Sequence, residues 1–234
     1  MILQLVILQF IAHLLADFTL QPQHWCNKKE KEIISGYHFY HIAIVLGTSY
    51  LLSFDLGFWV AALMLTLIHF MIDLFKSWII LKTRIKYIFF FDQLLHLITI
   101  IGIVWLHDLV FGIDFLFNME TTTLSVIAGF LLCSKPANII IKYILEAFSI
   151  ETPVDDPANH EGKSLPNAGK LIGITERFLA LALILLGQYE AVGLIIAAKS
   201  ILRFRETNKS EYVLVGTLLS FGLATLTGIA IKFI

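Results

Sequence analysis

Residues 57–82 read GFWVAALMLTLIHFMIDLFKSWIILK, and this stretch decides the fold. A helical membrane span needs roughly 20 mostly apolar residues. The segment exceeds that, with formal charge only at Asp73, Lys76 and Lys82. Inside it His69 and Asp73 stand four residues apart, so on a helix they share one face. Ionisable groups in a span cost a few kcal/mol each and mark a functional interior.

The same pattern recurs outward from this segment. His13/Asp17, His38/His41 and Asp92/His96 also have helical spacing inside apolar runs, and five of the eight histidines fall in these pairs. The chain is 58% hydrophobic and 15% charged, more apolar than a soluble domain. These features predict an all-α polytopic transmembrane bundle forming a single membrane domain. Eight spans are expected, at about 2–20, 37–54, 57–82, 87–106, 121–148, 171–187, 190–204 and 212–232. The count falls to seven or fewer if the 171–204 hairpin, turning at Gly187-Gln188-Tyr189, does not cross. Residues 1–20 read as a retained span rather than a signal peptide, because they lack a basic leader and a small-residue cleavage site. Pro136 removes a backbone donor and should kink or break the fifth span. Within the domain, 1–148 is a His/Asp half, 149–170 a polar loop with Pro153, Pro157 and Pro166, and 171–234 a half bearing Arg and Lys.

Charge asymmetry orients the spans. Lys28, Lys29 and Lys31, then Lys82, Arg84 and Lys86, then Lys163 and Lys170, then Arg203, Arg205 and Lys209 fall in alternate connections. The intervening ones carry Asp55, then Asp108, Asp114 and Glu120, then Glu190, with no Lys or Arg. Both termini outside satisfies the positive-inside rule at every internal loop. The expected location is the inner (cytoplasmic) membrane, with the bilayer as a partner. All four polar pairs then lie at one depth near the cytoplasmic face, where four helices can converge. The net charge of −1 without a long basic run argues against nucleic acid. Cys26 and Cys133 form no disulfide framework.

Imidazoles and carboxylates are the usual ligands of Zn, Mn and Fe. His13, Asp17, His38, His41, His69, Asp73, Asp92 and His96 therefore form a candidate site for one or two divalent transition-metal ions. For any single pair, an interfacial hydrogen bond or a helix cap is the plainer account; agreement of four pairs in spacing and depth favours a metal. Asp73 and Asp92 are candidate proton carriers, and Lys76, on the face of His69, a candidate partner for an anionic substrate. Gln21 and Gln93 stand beside the pocket. Glu176, Arg177, Lys199 and Arg203 form a second polar set suited to phosphate or carboxylate, unless Glu176–Lys199 and Glu211–Arg203 are ion pairs between helices. Lys135 in mid-span requires a partner. Trp25 is expected at the membrane interface, and His24, His107 and His160 at the surface.

The assembled motifs resemble a bacterial and phage membrane family, domain of unknown function 3307. The resemblance rests on His13-Leu-Leu-Ala-Asp17-Phe-Thr-Leu-Gln21, the His38/His41 pair, His69-Phe-Met-Ile-Asp73-Leu-Phe-Lys76 and Asp92-Gln93-Leu-Leu-His96. The segments Ile172-Gly-Ile-Thr-Glu176-Arg177, Ala197-Ala-Lys199-Ser200-Ile-Leu-Arg203-Phe and Gly216-Thr217-Leu-Leu-Ser220 resemble its longer members. The pairs are also loosely similar to membrane-bound metal-dependent hydrolases, by analogy only. The leading functional expectation is such a hydrolase, acting on a lipid-linked or amphiphilic phosphorylated molecule at the cytoplasmic leaflet. A metal, proton-coupled or small-solute transporter is the first alternative, and a scaffold or sensor with a structural metal the second. Against transport stand the gathering of the pairs toward one face and the apolar runs Phe178–Leu186 and Ile98–Leu106.

Overall fold

A computed structural model describes residues 1–29, 32, 34–83, 86–117, 119–150, 168–203 and 210–234. The 151–167 part of the expected polar loop, with His160 and Lys163, lies outside them. So do Lys31, Arg84, Arg205, Lys209 and the side chains of Arg203 and Glu211. The described residues are helical apart from short connections and contain no strand. They fall into two compact units, residues 1–128 and 129–234.

The first unit opens with α1 (Ile2–Leu14), which continues into a π-helical turn, Leu15–Thr19. There Leu20 N–H donates to Leu15 O at 2.8 Å, five residues back. A short α2 (Gln23–Lys29) precedes α3 (Gly36–Ser53). A 3₁₀ turn, Leu56–Phe58, leads into α4 (Trp59–Lys82), and α5 (Ile88–Phe111) follows. Helices α1, α3, α4 and α5 pack in a closed ring, each against two of the others. The pairings Gln9–Ser49 and Asp17–His41 set α1 antiparallel to α3, and Asp73–His96 with Lys76–Asp92 do the same for α4 and α5.

The ring is apolar outside, and within it a layer of buried polar residues lies beside an apolar core, unlike a water-soluble bundle. Leu67, Met71 and Leu109 are 63%, 68% and 69% exposed, whereas His41, Asp92 and His96 are 1%, 3% and 2% exposed. Such a surface is stable against hydrocarbon and aggregates in water. Four helical segments are long and apolar enough to cross a membrane: Ile2–Thr19, Leu56–Lys82, Ile88–Phe111 and Leu214–Lys232. A bent pair makes a fifth if it counts as one span. α5 runs beyond the expected end at 106, because His107 and Asp108 are compatible with its last turn and Gly112, at φ 73°, terminates it.

That bent pair is α6 (Thr121–Cys133) and α7 (Lys135–Ala147), broken at Ser134 with a bend of 50°. The break expected from Pro136 is therefore present. Lys135 stands at that break, with its side chain exposed at the opening of α7. In the second unit α7 packs against α8 (Ala168–Leu185) and α10 (Ser210–Lys232), and α9 (Tyr189–Arg203) packs against the same two helices. α8 and α9 form the expected hairpin, with Gly187 at φ 76° in its turn. Close approach of α10 depends on missing side chains, since a Cβ on Gly228 would lie 2.6 Å from Ile184 Cγ2.

Candidate metal centre

Seven of the eight predicted ligands converge at one level of the α1–α3–α4–α5 ring. The π-turn widens the end of α1 and carries Asp17 around toward α3 and α4, while His13 stays on the last α-helical turn. π-turns of this kind are frequent at functional sites. His41 Nε2 and His69 Nε2 lie 2.9 Å apart, and Asp17 Oδ1 is 3.4 Å from the first and 3.5 Å from the second. Two ligands of a tetrahedral ion with bonds near 2.1 Å are roughly 3.4 Å apart. The two Asp17 distances match that spacing, and the His41–His69 distance is shorter by about 0.5 Å, so a small parting of the two rings would seat one ion. At 2.9 Å, either one nitrogen carries a proton toward the other or both direct lone pairs at a shared cation.

A second group faces this triangle. His96 Nε2 lies 3.5 Å from Asp92 Oδ1 and 3.9 Å from Asp73 Oδ1, while Asp73 Oδ2 is 3.7 Å from His41 Nε2. Ligand atoms of Asp73, Asp92 and His96 come within 4.8 Å of one another, as do those of His13, His69 and His96. The His69 and His96 rings stack at 4.1 Å between centroids.

The residues beside these ligands hold them in place, as outer-shell partners of metal sites do. Gln93 spans two of them: its Oε1 is 3.2 Å from His13 Nε2, and its Nε2 donates to Asp92 Oδ2 at 3.1 Å. With the amide so oriented, His13 Nε2 carries the proton and Nδ1 keeps the lone pair, 3.7 Å from Asp17 Oδ1. Lys76 Nζ donates to Asp92 Oδ2 at 2.7 Å, and its side chain remains 28% exposed, at the rim of the cluster. Gln21 is buried just past the π-turn.

His38 stands apart from the other seven. It is buried, but its Nδ1 accepts from Ser35 N–H at 3.1 Å, closing a capping box at the start of α3. A ring that accepts at Nδ1 carries its proton on Nε2, and so has no free lone pair for a metal. Three-residue spacing to His41 placed both on one helix face; the cap claimed the first.

The expected second polar set is divided among several tasks. Glu176 and Lys199 form an ion pair. Arg177, only 1% exposed, is spent on the helix break. Its Nε donates to Cys133 O at 2.7 Å and its Nη2 to Ser134 O at 3.3 Å and Asn138 Oδ1 at 2.7 Å. Nη1 donates to Ser220 at 3.0 Å. Arg203 closes α9.

Several buried polar groups escape pair-based reading. Gln9 and Ser49 bond each other reciprocally, with Ser49 Oγ donating to Gln9 Oε1 at 2.6 Å and Gln9 Nε2 to Ser49 O at 2.9 Å. They line a cavity of about 30 Å³ whose other wall includes His13, His69 and His96. Gln9 was findable, because it stands four residues before His13. His107 is corrected from surface to core: it is 2% exposed, and its Nε2 donates to Asp55 Oδ2 at 3.1 Å. Asp55 also accepts from Gly57 N–H at 2.7 Å and Asp114 N–H at 3.3 Å, tying together the loops at that end. His24 is exposed, as expected, and Trp25 packs against Tyr37 and Tyr40.

Helix ring and buried donors together define an all-α protein of membrane-spanning character with a His/Asp cluster able to hold a metal. The family described as Protein of unknown function (DUF3307) matches residues 5–124, just over half of the chain. The chain belongs to that family, and the matched segment contains all seven converging ligands. No curated protein and no solved structure matches the chain.

Proposed function

We propose that the protein is a membrane metal-dependent hydrolase that cleaves an amphiphilic, phosphate-bearing substrate at the cytoplasmic leaflet. The observation that carries this reading is the triangle of Asp17, His41 and His69, three buried ligand atoms within 3.5 Å of one another. Zn, Mn or Fe held there would acidify a bound water and polarise a phosphoryl oxygen. Asp73 or Asp92 accepts the proton released on attack and returns it to the leaving group. Lys76, at the exposed rim, meets the anion. It takes this role in place of Arg177, whose donors are engaged on the helix break.

The cluster's surroundings favour turnover over passage. Beyond the small cavity, Leu65 and Ile100 belong to an apolar core with Leu5, Phe58, Ile103 and Val104. A carrier would have to move an ion through that layer to reach Asp55 and His107. We assign eight spans with both termini outside the inner membrane on the loop charges. Cysteine labelling at Lys29, Asp108 and Lys163 is expected to find the first and third on one side and Asp108 on the other. Lys29 and Asp108 on the same side would refute that topology.

The activity test incubates metal-loaded protein in nanodiscs with a native lipid extract and follows release of phosphate or headgroup. Turnover should be lost in Asp73→Asn. A fully loaded protein that leaves every lipid phosphate and ester intact would overturn the hydrolase. Ion or solute flux in proteoliposomes, abolished by Asp73→Asn, would then identify a transporter, and neither flux nor turnover a scaffold or sensor.

A further inference from the structure

We propose that the site holds two ions rather than one, joined by the carboxylate of Asp73. The proposal rests on the metal-site reading above and extends it to a second position, in which Asp73 and Asp92 act as ligands instead of the proton carriers of the one-ion reading. The first ion belongs to Asp17, His41 and His69. The second belongs to Asp73, Asp92 and His96, a set that shares no residue with the first. Between them Asp73 turns Oδ2 toward His41 at 3.7 Å and Oδ1 toward His96 at 3.9 Å. One carboxylate oxygen facing each set is the arrangement of a bridging ligand, and bridged ions stand roughly 3.5–4 Å apart.

The second position has its own evidence. His96 Nε2 and Asp92 Oδ1 are buried and make no hydrogen bond, their only ion-pair contacts among the described residues being the loose distances to each other and from His96 to Asp73. Buried polar atoms are costly to leave without partners. These two lie 3.5 Å apart and face the same point. The other oxygen of Asp92 is held from behind by Lys76 and Gln93, which leaves Oδ1 aimed inward.

Charge sets the order of binding. Asp17, Asp73 and Asp92 against Lys76 leave two negative charges among neutral imidazoles, which one divalent ion cancels. A second ion brings an excess of two positive charges into a low-dielectric interior, an expensive state unless an anion arrives with it. The second ion should therefore bind more weakly than the first, and tighten when a phosphate group is present. In this way substrate itself completes the centre.

The test titrates the purified full chain with Mn²⁺, with and without inorganic phosphate. Equivalents bound are read by elemental analysis, and spin coupling by electron paramagnetic resonance. The expected result is one tight equivalent without phosphate, two with it, and an exchange-coupled Mn pair in the second case. His96→Gln should reduce two equivalents to one, and Asp73→Asn should abolish the coupling. A single equivalent in wild type at saturating Mn²⁺ and phosphate would overturn the second ion and leave the one-ion hydrolase standing. So would two equivalents without coupling, or two retained by His96→Gln. No bound Mn²⁺ or Zn²⁺ under any condition would overturn both.

Discussion

His69→Ala is expected to strip the Asp17/His41/His69 triangle of its metal. His69 Nε2 is one corner of the Asp17/His41/His69 triangle, and its ring also faces His13 and His96. Removing it takes away a ligand and leaves Asp17 and His41 too few to hold an ion. Loss of an outer-shell partner typically costs 10–100-fold in metal affinity, so loss of a direct ligand should exceed about a hundredfold. Elemental analysis of wild type and variant side by side measures this. Metal content unchanged in His69→Ala, or no metal in wild type supplied with Zn or Mn, would refute the site. Affinity in the wild type should also fall with acid, because imidazoles must be neutral to ligate and protons compete for the same lone pairs. His38→Ala provides the internal comparison. It should lower helix stability by about 1 kcal/mol through loss of the capping box and leave metal content unchanged.

Arg177→Ala is expected to disable the second unit as a folded body. Pro136 has no N–H to offer the preceding turn, and the break at Ser134 leaves carbonyls at the end of α6 without helical partners. The guanidinium supplies them, donating to Cys133 O and Ser134 O from α8 while also binding Asn138 and Ser220. Gly173, one turn earlier on α8, leaves the space, since a Cβ there would stand 3.1 Å from Nη1. Alanine would orphan several buried acceptors, each worth about 1–3 kcal/mol, so a loss of roughly 3 kcal/mol or more is expected. Lysine should rescue poorly, because a point ammonium cannot reproduce the planar fork that serves four acceptors. Equilibrium unfolding in mixed micelles reads this directly. A stability change under about 0.5 kcal/mol would show that the break does not depend on Arg177. Metal content of the first unit offers a separate check on whether the variant is merely misfolded.

Much of the architecture was legible in the chain itself. Long apolar runs, their punctuation by Gly187 and Pro136, and the hairpin of α8 and α9 depend on residues within a few turns of one another. The same holds for the pairs His13/Asp17, His69/Asp73 and Asp92/His96, whose shared faces follow from helical period alone. Lys76 was found by the same rule, as a neighbour on the His69 face, and Gln93 as the sequence neighbour of Asp92.

Tertiary structure decided how these faces meet. Spacing treats His38 and His41 alike, yet Ser35 closes a cap on one and His69 lies 2.9 Å from the other. Hydropathy put His107 at a span edge, where Asp55, 52 positions away in sequence, draws it into the core. Arg177 looked like an anion binder until a broken helix supplied it with carbonyls. Likewise, helical period cannot foresee that a π-turn re-aims Asp17, or that Asp73 stands between two ligand sets. Periodicity and hydropathy are properties of a single helix. The partner of each buried polar atom depends on how neighbouring helices are rotated and on where their ends are capped, and only packing sets both.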